Sequence, residues 1–413
     1  MANDFVEKFV RLCNHLQDPR HVAKFQHVCG VKGTFPGPTG GDRARTSPRG
    51  TGRAGTRPPP QVNGRQGDVT VGLDGSSAAA AGVERDTTRA KPLRRNSLTG
   101  DVGQEFLIQN KFLFYLFTFG TELGNEMFFI VFFPFLFWNI DALVSRRLIV
   151  VWAWNLFVGQ STKDMVEVFY NSEYSMPSTH AMTGTAIPFC LFMLTYGRWQ
   201  YSFLFGFCVA LSWSILVCVS RIYMGMHSVL EVITGFLYSL LILAVFQPIL
   251  GKIDSFYMTD PFAPLVIIVS HVSLGLVAFS LDSWSTSRGD TAQALGTGVG
   301  AAIGTHVNHQ LGLLLDPPLA SLPLTLPPVT AGLVALALLR FFTGVAVILV
   351  TRMVMKAVTI PFLCRLFGLP SDDVRQARQH MKVELPYRYI VYSVVGFSCV
   401  CVVPLIFRIL NLA

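Results

Sequence analysis

From residue 106 to its end the chain is a series of apolar runs, most about one membrane crossing long, parted by short polar breaks. About 20 apolar residues in a helix reach across the hydrocarbon of a bilayer, where no water satisfies an open backbone. The runs lie at roughly 148–162, 181–196, 202–219, 228–249, 262–281, 292–315, 329–350 and 388–410, after a longer run at 106–138. Only 14% of the residues are charged, against roughly a quarter in a soluble domain. The pattern predicts an all-α fold: a polytopic membrane helical bundle of about eight to ten transmembrane helices.

The 106–138 run is too long for one straight span and short for two. A basic tail precedes it and Arg146-Arg147 follow it. Basic flanks prefer the cytoplasmic side, so charge predicts a hairpin that enters and returns. The next run then leads to the opposite face. On that parity Arg198 and Lys252 are cytoplasmic, while Lys163, Pro177–His180, Ser220–Arg221 and His227 share the other face. Residues 351–387 carry Arg352, Lys356, Arg365, Arg375, Arg378 and Lys382 and read as a basic cytoplasmic stretch.

Three regions follow: an amphipathic segment 1–30, a disordered linker 31–104 and a multi-span domain 105–413. The first has helical periodicity broken at Asp18-Pro19, and suits either a membrane surface or a packed helical pair. The second is rich in Gly, Pro, Arg, Ala, Ser and Thr and lacks apolar surface to offset its ordering entropy. At its end Arg94-Arg95-Asn96-Ser97-Leu98 resembles a basophilic kinase site. The net charge is +8, but no groove-reading motif points to nucleic acid. The eight cysteines, with no CxxC pair, read as packing residues rather than disulfides or zinc ligands. The polar N-terminus predicts no cleavable signal peptide.

The chemistry gathers between Lys163 and Glu231. Phosphate removal from a monoester needs a nucleophile, cations for the phosphoryl oxygens and an acid for the leaving alkoxide. His227 is the candidate nucleophile. Glu231, one helical turn on, can orient it through the other ring nitrogen. His180 is the candidate proton donor. Lys163 and Arg221 can clamp phosphate, and Ser178 and Thr179 open a helix whose free N–H groups bind anions. Neither metal nor cofactor is called for, because cationic side chains do the neutralising. Glu122 and Glu126, one turn apart in an apolar run, are functional candidates by default, although packing is their expected role. His271, His306 and His309 are read as structural.

Pro177-Ser178-Thr179-His180 and Ser220-Arg221-x5-His227-x3-Glu231 resemble the second and third motifs of the phosphatidic acid phosphatase type 2 superfamily, whose helical core is shared with vanadium haloperoxidases. Phe119–Glu126, Glu173–Met182, Ser220–Ser228, Arg94–Gly100 and Arg378–Tyr389 look like the sphingosine-1-phosphate phosphatase family, type 1 branch. The resemblance runs from about residue 90 to the end, and more loosely over 1–30, and puts the catalytic core at about 148–250. It implies a magnesium-independent, multi-pass enzyme of the endoplasmic reticulum membrane with a lumenal site. Its substrates would be phosphorylated sphingoid bases, with a phosphohistidine intermediate on His227.

Two departures stand out. The third motif of the family ends in Asp, so Glu231 predicts a looser contact to the imidazole. The first motif, Lys-x6-Arg-Pro, keeps Lys163 but has Tyr170 and Asn171 at the Arg-Pro positions. A skipped exon, a gene-model error and a true divergence would all leave this sequence. The loss motivates the alternative of a catalytically impaired isoform or paralogue that binds lipids or proteins. It also suggests that the shortened loop pulls Lys163 out of place.

Overall fold

The computed structural model describes residues 2–34, 105–169, 176–281, 288–314, 316–368 and 381–412. Nearly all of the linker, with Ser97, and positions 170 and 171 lie outside them. The described residues are helical apart from two short strands, Val31–Thr34 and Glu105–Ile108, which pair in a two-stranded sheet.

The N-terminal segment forms α1 (Ala2–Gln17) and α2 (Pro19–Val28), parted where expected: Asp18 caps α2 by accepting from the Arg20 amide, and Pro19 takes the first helical position. The run at 106–138 becomes α3 (Lys111–Leu123) and α4 (Glu126–Asn139). They bend by 65° and do not fold back as the expected hairpin. Only Gly124 and Asn125 separate them. Asn125 instead caps α4 through the Met127 amide, so the helix restarts at once in a new direction.

α5 (Ala142–Phe169) returns antiparallel to α4, and Phe133 meets Trp152 edge to face at 5.6 Å. α6 (Thr179–Thr195), α7 (Phe203–Tyr223) and α8 (Val229–Thr259) follow, then α9 (Ala263–Leu281) and α10 (Arg288–Gln310). α11 is Ala331–Leu366. α12 (Met381–Phe397) passes through a π-helical turn, Ser398–Val402, into α13 (Val403–Ile409).

Among the described residues, α5, α7, α8, α11 and the joined α12–α13 are long and apolar enough to cross a membrane, and α3–α4 makes a sixth if taken as one bent span. α6 is shorter, at 17 residues, and α9 and α10 complete the bundle. The core joins α4, α5, α6, α8, α10 and the C-terminal helices around Phe129, Phe133, Leu148, Trp152 and Val400. α10 and α12 touch backbone to backbone: a Cβ at Gly300 would lie 1.9 Å from the Ser393 carbonyl oxygen. α11 instead leaves Leu338, Phe342, Leu349 and Val354 exposed, an apolar surface of the kind lipid covers.

The bundle has two polar ends. At the start of α5, Arg146 pairs with Asp254 at 2.7 Å and Asp316 at 2.6 Å, Arg147 shares Asp254, and Arg198 pairs with Asp141 at 2.6 Å. Lys163, about 25 Å further along α5 from Arg146, marks the other end. Gln26 of α2 donates to the Tyr223 carbonyl at the close of α7, so the N-terminal helices sit at the Lys163 end. α11 begins near the first end, where Phe341 meets Phe135. Its later residues Arg352 and Lys356 flank a cavity with Arg388, whose partner is Asp290. The 351–387 stretch therefore starts at the Lys163 end, not with Arg146 as its basic character suggested.

Breaking a buried ion pair leaves an unpaired charge in the interior. Asp254→Asn is expected to destabilise the fold by about 3–5 kcal/mol, read as a lowered unfolding temperature in detergent or nanodiscs. A shift no larger than that of an exposed Lys8→Ala control would contradict this.

Candidate active site

The end of α5, the start of α6, the end of α7 and the start of α8 meet at one level of the bundle. Local sequence dictates both helix starts. Ser178 caps α6, its hydroxyl accepting from the Ala181 amide, and Ser228 caps α8 by accepting from the Glu231 amide at 3.3 Å. The Ser178 amide donates to the Glu231 carbonyl at 3.2 Å, which ties the two starts together. Gly235 makes this approach possible: a Cβ there would stand 2.7 Å from the Ser178 carbonyl oxygen.

His227 stands just ahead of that cap, 8% exposed. Its Nδ1 is 2.6 Å from Oε2 of Glu231, which is 1% exposed. The expected looser contact is therefore overturned. The Ser228 cap starts α8 so that position 231 faces back along the axis toward 227, and the extra methylene of Glu spans the gap. With Nδ1 engaged, Nε2 is the nitrogen left to attack. Burial, with the charges of Lys163 and Arg221, lowers the His227 pKa from 6.5 to about 3. The lowered pKa keeps the ring neutral at physiological pH.

Lys163 is 9% exposed and donates to Thr179 Oγ1 at 3.3 Å. This contact sets it against the start of α6. Arg221, at 2% exposure, is among the most buried side chains, and its Nε has no hydrogen-bond partner among the described residues. His180 lies close enough to Arg221, Lys163 and His227 to be coupled electrostatically to each of them. The structure thus brings together all seven sequence candidates, His227, His180, Glu231, Lys163, Ser178, Thr179 and Arg221, although the Ser178 hydroxyl is largely taken up by capping. His271 and His306 engage the carbonyls of Ile267 and Tyr257 and stay structural.

The α3–α4 break reaches the same region. Asn125 donates to Glu122, Glu122 acts electrostatically on Arg221, and Glu126 on Lys163, Asp290 and Arg388. The polar residues inside an apolar run were the available signal for Glu122 and Glu126. Nothing local could have joined them to Asp290 and Arg388, which come from α10 and α12.

The PAP2 superfamily matches residues 154–253. Rat sphingosine-1-phosphate phosphatase 1 is 48% identical over 431 aligned positions, covering 98% of this chain and 99% of its own. The mouse protein of that name is also 48% identical, with the same coverage. Human sphingosine-1-phosphate phosphatase 2 is 34% identical over 97% of this chain and 99% of its own. The chain belongs to the sphingosine-1-phosphate phosphatase family. It is a multi-pass membrane phosphatase, and the likeness does not favour the catalytically silent alternative. The alignment to the rat protein is longer than the 413 residues here, so that relative carries residues without a counterpart. No solved structure matches.

A lowered histidine pKa ties stability to pH. The unfolded chain binds a proton at His227 below about pH 6.5 and the folded chain does not. Its contribution is therefore full above about pH 6.5 and lost progressively as pH falls toward 3. The His227 ring signal is expected not to titrate between about pH 8 and pH 5. Glu231→Gln, which cannot take the charged partner role, is expected to lower kcat by at least about a hundredfold. Titration near pH 6.5, or a mutant within twofold of the parent, would contradict the assignment.

Proposed function

We propose that this chain hydrolyses sphingosine-1-phosphate and related phosphorylated sphingoid bases, in the endoplasmic reticulum membrane with its site on the lumenal face, as part of sphingolipid metabolism. The observation that carries the reading is the neutral, carboxylate-oriented His227 among Lys163, Arg221 and His180. The sphingosine-1-phosphate phosphatases to which the chain is similar supply the substrate class.

Lys163 and Arg221 hold the phosphate oxygens, helped by Ser178 and Thr179 at the start of α6. His227 Nε2 attacks phosphorus. An N–P bond forms as the P–O bond to the sphingoid carbon chain breaks. His180, which takes up a proton when the phosphate dianion binds beside it, gives that proton to the departing alkoxide, and Glu231 stabilises the charge that develops on the His227 ring. His180 then takes a proton from water, the hydroxide attacks phosphorus, the N–P bond breaks, and inorganic phosphate leaves with His227 restored. No cofactor enters these steps. The lumenal assignment is supported by Arg146, Arg147, Arg198 and Lys252 at the opposite end, which suit the cytoplasmic side.

The test is phosphate release from sphingosine-1-phosphate by the purified chain. His227→Ala is expected to abolish it, and EDTA to leave it unchanged. In a single-turnover burst, which reads only the transfer to His227, His180→Ala is expected to lose about 10²–10⁴-fold on the lipid and far less on an aryl phosphate, whose leaving group needs no proton. Activity that survives His227→Ala, or an equal His180→Ala loss on both substrates, would overturn the reading.

A further inference from the structure

A second polar cavity, of about 350 Å³, lies between α10, α11 and α12. Helical spacing builds its walls. Arg352 and Lys356 stand one turn apart on α11, and Glu384, Arg388 and Tyr392 follow at the same spacing on α12. Gln293 of α10 closes the back. The wall thus carries more positive than negative groups: Arg352, Lys356 and Arg388 against Glu384.

Arg388 pairs with Glu384 at 2.8 Å and with Asp290 at 3.2 Å. Arg352 sits 5.7 Å from the Tyr392 ring centroid. The Nε groups of both arginines are buried without a hydrogen-bond partner among the described residues. A guanidinium is a fork of fixed donors suited to the oxygens of a phosphate, and two such forks converge here with an ammonium. None of these side chains belongs to the catalytic set.

We propose that this cavity is a second anion site that takes a phosphate group, from an anionic lipid headgroup or from free inorganic phosphate. It communicates with the catalytic residues through Arg388. Asp290, held by Arg388, acts electrostatically on Glu126 and Lys163.

Binding is read on the full-length His227→Ala chain in phosphatidylcholine nanodiscs, so that turnover does not enter and the phosphatase reading can fail separately. One arm titrates labelled inorganic phosphate. The other adds phosphatidylinositol 4-phosphate and counts retained lipid by native mass spectrometry. In at least one arm a bound anion is expected that R352Q/K356Q loses or binds about tenfold more weakly and that R352K/K356R retains. The arm that responds identifies the source. Arg221→Gln is expected to leave this anion in place. No anion beyond the one held by Arg221 in either arm would overturn the proposal. So would binding unchanged in R352Q/K356Q, which would leave Arg352 and Lys356 as interfacial anchors only. If R352Q/K356Q unfolds, R352Q alone gives the same reading.

Discussion

The hydrogen bond between His227 Nδ1 and Glu231 Oε2, 2.6 Å long and shut away from water, is the interaction on which the site depends. It selects which ring nitrogen faces outward, and it sets a buried carboxylate against the other. It needs α8 to start at Ser228, because only then does position 231 lie one turn from 227. That start is held by the Ser228 cap and by the Ser178 amide on the Glu231 carbonyl. The small Gly235 lets the two helix starts approach. The His227 ring is thus oriented by backbone geometry that reaches across two spans.

The second constraint is charge. Lys163 and Arg221 are buried close to a neutral histidine, and the Arg221 Nε has no protein partner among the described residues. Buried cations of this kind are stabilised most by an anion that brings its own charge and acceptors. A phosphate monoester does both. Without the first-motif arginine of its family, the chain still presents an ammonium and a guanidinium, and Lys163 is steadied by Thr179. One fewer charge-assisted hydrogen bond is a difference of about 1.5–3 kcal/mol, a matter of rate rather than of kind.

The motifs were legible because their spacing is local. Ser178 and Ser228 announce helix starts, and a histidine four residues before a carboxylate announces a pair. The amphipathic break at Asp18-Pro19 was legible for the same reason. The closeness of the His227–Glu231 contact was not, since side-chain length says little without the helix register that directs it. The 106–138 run misled because charge rules report the sidedness of flanks, whereas the bend is set by two residues and by packing on α7. The placement of Arg352 and Lys356 beside Arg388 depends on how α11 and α12 pair, over a sequence separation that no periodicity spans.

The central claim is that His227 becomes covalently phosphorylated through Nε2. Its most direct test is a rapid alkaline quench of the purified chain during turnover of ³²P-labelled sphingosine-1-phosphate, followed by peptide mapping. The account predicts alkali-stable, acid-labile label on the His227 peptide, as phosphohistidine, formed and lost at rates compatible with turnover. Steady phosphate release with no label on that peptide at any time would contradict it.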